Sequence, residues 1–339
     1  MTYELHVDAN GWRQHLASLI SADADLVPVT KGNGYGLGLD RTAAEAERAG
    51  ARMLAVGTIA ELDDVRPHTD ADLLVLQPWQ RGLDPAPRTD GTVYTAATLD
   101  SVAGLADAGA PYVVEVLSSV MRFGIPAEQL AEVAGLSRGV AIHLPLDAAP
   151  GARVREVAAV VAAVEPIGFG PVPLWVSHLT DDEADEVRRA HPDWRLRQRV
   201  GTRLWLGKRE TLQARAQVLA VHRVTTGERI GYRQRRVSRA ADLIIASGGT
   251  AHGVGLEAPT TPAGVGDRGK TVAKGLLEAG GRLPSPFRRN GKRLWFAEPP
   301  HMQVSLLLAK PGSAPDVGSF LDVDARMTTA AFDRVVGWD

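Results

Sequence analysis

The residues from Val27 to Gly38 read VPVTKGNGYGLG. An apolar run ends at Lys31, glycines follow at 32, 34, 36 and 38, and Tyr35 stands among them. A lysine amine forms a Schiff base with a carbonyl group when desolvation or nearby cations lower its pKa. The glycines allow close approach of backbone and ligand, and Tyr35 offers a hydroxyl to a phosphate or carboxylate. With a period of two, Val27, Val29 and Lys31 share one face of a strand. If that face lines a barrel, Lys31 is the last inward residue and points at the mouth. The competing reading is a solvated loop lysine.

Other chemistry-bearing residues fall just past later β-rich runs. SSVMRFG brings Arg122 to the end of a fifth run, where a guanidinium suits a phenolate, carboxylate or phosphate. Glu115, seven residues earlier, has inward parity and is placed to hold an arginine. His143 ends a sixth run, and Ser177 and His178 end a seventh. RQRVGTRLWLG brings Arg199, Gly201 and Thr202 to an eighth. A glycine followed by a free amide near the last strands of a barrel is a common phosphate site. The chain has no cysteine, which excludes thiolate chemistry, disulfides and cysteine metal sites.

The elements that must position these groups alternate from about residue 10 to 207. Strands are expected at Leu26–Lys31, Met53–Gly57, Leu73–Leu76, Thr92–Thr95, Tyr112–Leu117, Val140–Leu144, Leu174–His178 and Leu196–Leu206. Helical stretches separate them: DRTAAEAERAG, TIAELDDVR, TLDSVAGLADAG, PAEQLAEVAGL and GARVREVAAVVAAV. Asp40 and Thr98 read as N-caps, Gly50 and Gly109 as C-terminal glycines. Near-continuous apolar strands alternating with helices argue a parallel sheet, and eight of them close a (β/α)8 TIM barrel with its site at the C-terminal strand ends. After residue 210 the pattern becomes short antiparallel strands with turns at Thr226-Gly227 and Gly231. The expected organisation is a barrel over residues 9–210 and a C-terminal, mostly-β domain over 211–339. A Gly/Pro/Arg-rich insertion is expected at about 256–292, with one helix, TVAKGLLEAGG.

The chain has 339 residues, and its net charge of −2 gives no bulk attraction to nucleic acid or anionic membrane. No apolar stretch spans a bilayer, and MTYELHVDANGW lacks a signal-peptide pattern, so a cytoplasmic location is expected. Two motifs read as decoys. GVGDRGKT, Gly264–Thr271, fits G-x-x-x-x-G-K-T but follows no strand. The basic run RQRRVSR, Arg233–Arg239, lacks interleaved aromatics and reads as a solvated strand face rather than a nucleic-acid contact.

These motifs together resemble the alanine racemases, pyridoxal-phosphate enzymes with a (β/α)8 barrel and a C-terminal β domain. The family's lysine motif typically reads K-A-N-A-Y-G-H-G; here it is KGNGYGLG. MLAVGTIAELDDVR resembles the segment around the second strand, VMRFGI the G-M-x-R-x-G stretch, and GERIGY the G-x-x-V-G-Y turn. The resemblance implies that Lys31 carries pyridoxal 5'-phosphate and acts as base on one face of the substrate Cα. It also implies that Arg122 lies near the cofactor phenolate and substrate carboxylate, His143 against the pyridine ring, and Arg199 toward the pyridine nitrogen. Tyr35, Ser177, Gly201 and Thr202 would hold the phosphate. A homodimer with shared active sites acting on a small amino acid is implied, with residues 1–8 joining the β domain.

The departures concern the other face of Cα. The family's second base is a tyrosine in G-Y-A-D-G, and the matching segment here is GGTAHGVG. Thr250 takes the tyrosine position and His252 the aspartate position. Histidine exchanges protons near neutral pH, so His252 is the substitute considered. Met302-Gln303 match a methionine–aspartate pair that lines the substrate route, and Glu115 matches a lysine that is sometimes carbamylated. Three functions follow as alternatives: an amino-acid racemase or epimerase, a one-faced enzyme doing retentive exchange, decarboxylation or transamination, or a non-catalytic binding relative.

Overall fold

The computed structural model describes residues 2–133, 135, 137–168, 171–256 and 283–338. The chain divides into two compact units, one formed by Arg13–Gly207 and the other by Met1–Trp12 with Lys208–Asp339.

The first unit is built on eight parallel strands: Val27–Pro28, Met53–Val56, Asp72–Pro78, Thr92–Ala96, Tyr112–Val116, Val140–His143, Leu174–Ser177 and Leu196–Val200. Each pairs with its sequence neighbour, and the first pairs with the eighth. An isolated parallel bridge, Val29 to Ala55, joins the first strand to the second and completes the circuit of a (β/α)8 barrel. The inward row packs Val27, Val29, Met53, Ala55, Leu74, Val93, Val113, Ala141 and Trp175 into one core. At its lower end the Arg197 guanidinium lies over the Trp175 ring at 4.6 Å.

Local signals explain the connecting helices, with three corrections. Thr98 caps Leu99–Asp107, its hydroxyl accepting from the Ser101 amide at 3.0 Å. Gly50 and Gly109 follow their helices with φ of 92° and 64°. Asp40 is not a cap: Leu39–Arg48 starts at Gly38, whose φ of 98° turns the chain out of the lysine loop, and Asp40 lies in the first turn. PAEQLAEVAGL makes only a 3-10 stretch, Ala127–Glu132, because Leu130 and Val133 are its only buried apolar anchors among the described residues. The strand expected over Leu196–Leu206 ends at Val200. Gly201 breaks it with φ −111° and ψ −92°, and Thr202–Leu206 is a short helix.

The second unit is an antiparallel sheet. Its order is Ala241–Ser247, Val304–Ala309, Lys292–Phe296, Leu283–Arg289, Phe320–Val323 and Leu212–Val224, and the last strand pairs back with the first. Tyr3–Val7 adds antiparallel to Leu212–Ala216, and Arg334–Val336 adds parallel to it. Tyr3, Ala216, Ile244, Phe287, Phe296, Leu307 and Leu321 form its core. The P-loop-like motif and the helix TVAKGLLEAGG lie outside the described residues, as does most of the insertion. No helix among the described residues is long and apolar enough to cross a membrane.

Candidate functional site

The barrel's inward rows carry the site. Two residues beyond core positions Val29, Val113, Ala141 and Trp175, and beyond Arg197, come Lys31, Glu115, His143, Ser177 and Arg199. The period of two therefore aims all five toward the C-terminal mouth.

Lys31 leaves the first strand into a left-handed loop. Gly32, Gly34, Tyr35, Gly36 and Gly38 all have positive φ, a conformation that L residues other than glycine rarely hold. A carboxylate that sequence reasoning left unassigned fastens this loop. Glu61 accepts from the amides of Gly32 (2.8 Å), Gly57 (2.6 Å) and Thr58 (3.2 Å), tying the end of the second strand to the residue after the lysine. Its signal in the sequence was Thr58-x-x-Glu61, a capping box.

Burial lowers the Lys31 pKa and the Arg122 guanidinium lowers it further, against an opposing pull from Glu61; Arg199 adds to the lowering. Lys31 as a residue remains exposed, and the lowering reflects the protein atoms and the two arginines around it. Arg122 is also exposed, its guanidinium 5.2 Å above the Phe123 ring.

Deeper in the mouth, His143 Nδ1 lies 2.9 Å from Ser177 Oγ, and the His143 and His178 rings meet edge to face at 5.0 Å. Burial pushes the His143 pKa down to about 3, and Arg199, Arg122, His178 and Lys31 contribute repulsion. At neutral pH His143 is an uncharged ring. His178 shifts down by burial and then Arg199. Ser118 Oγ donates to the His143 carbonyl at 2.6 Å and fixes the strand end.

Arg199 is fully buried. Its Nη2 donates to the Ile142 carbonyl at 2.7 Å, while its Nε has no partner among the described residues. Burial and then the neighbouring positive charge of Arg122 act against its protonation, and Glu115 supports it. Glu115 is 2% exposed. Burial raises its pKa, with Arg199 and Arg122 pulling the other way. No contact ion pair holds Glu115 among the described residues, so it acts on both arginines through space.

Tyr35 is buried against the eighth strand. A Cβ at Gly201 would overlap its hydroxyl, and burial then Glu61 push the phenol pKa up to about 12. The amides that open the turn after Gly201, including that of Thr202, have no intrahelical acceptor.

The β unit holds the remaining sequence-predicted residues. Thr250 is exposed, and its amide donates to the His301 carbonyl at 2.8 Å. His252, the substitute second base considered from the sequence, is held within the unit. It is 7% exposed. Its Nδ1 accepts from the Gly249 amide and its Nε2 lies 3.2 Å from Asp333 Oδ1, with the ring edge-on to Tyr3. Both nitrogens are engaged inside the unit.

The acid–base pair beside Thr250 is one that sequence reasoning missed. His301 Nε2 sits 2.5 Å from Glu298 Oε1, and Glu298 also accepts from the amides of Tyr232 and Arg233. Burial would raise the Glu298 carboxyl, but the His301 hydrogen bond and these two amides together bring it below the usual range. The exposed Tyr232 ring lies 4.4 Å from His301, and Met302, next in sequence, is 69% exposed.

Comparison with known proteins bears on the fold that carries these residues. The family model described as alanine racemase, N-terminal domain, matches residues 12–146. No curated protein sequence matches the chain. Among solved structures, alanine racemase from Bartonella henselae with covalently bound pyridoxal phosphate superposes with a TM-score of 0.74 at 16% identity, over 99% of this chain and 100% of that one. Alanine racemase from Acinetobacter baumannii gives 0.68 at 12%, over 99% of each chain. That from E. faecalis gives 0.69 at 18%, over 95% of this chain and 88% of that one. Residues 12–146 thus match the alanine racemase N-terminal domain model, and the chain as a whole shares the fold of these solved alanine racemases.

Proposed function

We propose that this chain is a pyridoxal-phosphate-dependent amino-acid racemase or epimerase working as a homodimer, with Lys31 as its cofactor lysine. The observation that carries the reading is Lys31 itself: a lysine at a barrel mouth, its pKa lowered by burial and by Arg122. A lowered pKa leaves more neutral, nucleophilic amine near pH 7.

The residues present fit the cofactor. Arg199 offers a buried Nε with no partner among the described residues, and a buried donor of this kind is costly unless an acceptor reaches it. Tyr35 and the side-chain-free Gly201 leave a hydroxyl and backbone amides for a phosphate. When bound, pyridoxal phosphate supplies an electron sink for negative charge at the substrate Cα.

The chain's own residues do the rest. Tyr35, Ser177, Gly201 and Thr202 would hold the phosphate. Neutral His143, fixed by Ser177, would pack against the ring without adding charge. Arg199 would face the ring nitrogen as a cation, disfavouring its protonation and tempering the electron sink. Arg122 would neutralise the cofactor phenolate and the substrate carboxylate, with Glu115 holding the charge balance of both arginines. Lys31 Nζ would take or return the Cα proton on one face.

The opposite face needs a second group, which we assign to the β unit of a second copy. A threonine hydroxyl is too weak an acid for Thr250 to serve, and His252 has both nitrogens engaged. His301 is oriented by a buried carboxylate and carries an exposed neighbour, Met302, suited to line a substrate route. A carboxylate behind a histidine is a recurring arrangement for proton transfer.

The test is incubation of the cofactor-saturated protein with L-alanine in deuterium oxide. A racemase incorporates deuterium at Cα while optical rotation decays. Exchange with retained configuration would replace this reading by one-faced chemistry, which the threonine at position 250 favours. Neither change would leave a binding protein.

A further inference from the structure

The β unit carries a second feature that the proposed reaction does not use. A cavity of about 1200 Å³ opens between the hairpin Leu283–Arg289/Lys292–Phe296, the segment Arg235–Ala241 and the end of Val304–Ala309. Among the described residues that line it, seven are Arg or Lys and none is Asp or Glu. In a chain with 38 basic and 40 acidic residues, that segregation is not a sample of the average surface.

The hairpin's pairing sharpens the point. Arg288 stands opposite Arg293, and Arg289 opposite Lys292. Like charges directly across a strand pair repel. The first pair has an internal counter-ion: Asp324 Oδ2 lies 2.7 Å from Arg288 Nε and 4.0 Å from Arg293 Nη2. The second pair lines the cavity and has no carboxylate partner among the described residues, nor do Arg236, Arg239 and Lys310 on the facing walls. Five cations with no carboxylate partner among the described residues therefore line one cavity, most of them reaching into solvent. Trp295, half-buried, lines the same cavity on the hairpin face that Arg293 shares.

We infer that this cavity is a binding site for a nucleoside polyphosphate. Guanidinium groups pair with phosphate oxygens in a matching fork geometry, and Trp295 offers an aromatic face on which a planar base can stack. The volume is that of a small-molecule site rather than of an inorganic ion. The basic run RQRRVSR thereby gains a role: Arg236 and Arg239 form one wall of a phosphate site.

The experiment titrates ADP, pyrophosphate and a single-stranded oligonucleotide into pyridoxal-phosphate-saturated protein by calorimetry at fixed ionic strength. Saturation keeps phosphates out of the barrel. Should the protein decline that cofactor, phosphate competition in the barrel is instead read from Tyr35→Phe, and the cavity test stands apart from the proposed reaction. Binding of ADP that weakens at least tenfold in Arg289→Gln/Lys292→Gln, and is unchanged in the charge-matched control Arg48→Gln/Arg189→Gln, supports the site. The cavity double variant should also melt higher than wild type without ligand, because its like-charge pair is gone; this separates lost binding from lost folding. ADP binding that survives in the double variant overturns the proposal. Pyrophosphate binding as tightly as ADP overturns the nucleoside part, and an oligonucleotide binding more tightly than ADP overturns the small-molecule occupant.

Discussion

Glu61 Oε1 lies 2.8 Å from the Gly32 amide, while its other oxygen accepts from Gly57 and Thr58. One carboxylate thus binds the residue after the candidate cofactor lysine to the end of the neighbouring strand. Glu61→Ala should cost about 1–2 kcal/mol of stability, the usual scale for a lost cap. It should also shift the pH dependence of cofactor uptake to lower pH, because Glu61 is the group that raises the Lys31 pKa. Thermal melts and absorbance against pH measure both effects.

His143 makes a pH prediction. Its pKa in the folded protein is about 3, below the ordinary histidine value of 6.5. Between those two values the unfolded chain binds more protons than the folded one. This histidine therefore contributes stability above pH 6.5 that is lost as pH falls toward 3. His143→Asn should flatten the fall of melting temperature over that window relative to wild type. An unchanged slope would mean that the ring is not held neutral.

Gly201→Ala places a methyl where the Tyr35 hydroxyl sits. Cofactor affinity should drop by at least tenfold, since either the tyrosine or the turn must move. Tyr35→Phe in the same background should recover part of the loss, which equilibrium titration with pyridoxal phosphate can follow.

The two β-unit histidines should separate cleanly. His301→Ala should abolish racemisation and leave the exchange of one Cα face intact in the folded fraction, at a cost of roughly 1–3 kcal/mol because buried Glu298 loses its partner. His252→Ala should cost roughly 1–3 kcal/mol, as a buried partner of Asp333 is removed, with racemisation retained in the folded fraction. The opposite pattern would return the second proton to His252.

Much of the barrel was legible because its strands are buried on both faces and read as apolar runs. Their two-residue period carried Lys31, His143, Ser177 and Arg199 to one end. The run Leu196–Leu206 misled because its apolar character continues from the eighth strand into a helix, and only the backbone at Gly201 separates them. The β unit was harder. Leu283–Arg289 holds Pro284 and Pro286, which argue against a strand, yet it pairs on both sides with a register shift between Pro284 and Arg288. Tyr3–Val7 finds its partners more than 200 residues away. Glu298 and His301 sit in EPPH, which reads as a loop; their pairing depends on the fold around Gly231, where a Cβ would overlap the Glu298 carboxyl. The contact of His252 with Asp333 was not legible because nothing near the histidine in sequence announces a residue 81 positions away.

The central claim is that Lys31 holds pyridoxal phosphate. The most direct measurement is borohydride reduction of the cofactor-saturated protein, followed by proteolysis and peptide mass analysis. The cofactor's mass should be fixed on the peptide containing Lys31, and Lys31→Ala should carry none. Labelling of another lysine, or no labelling of wild-type protein, would contradict the account.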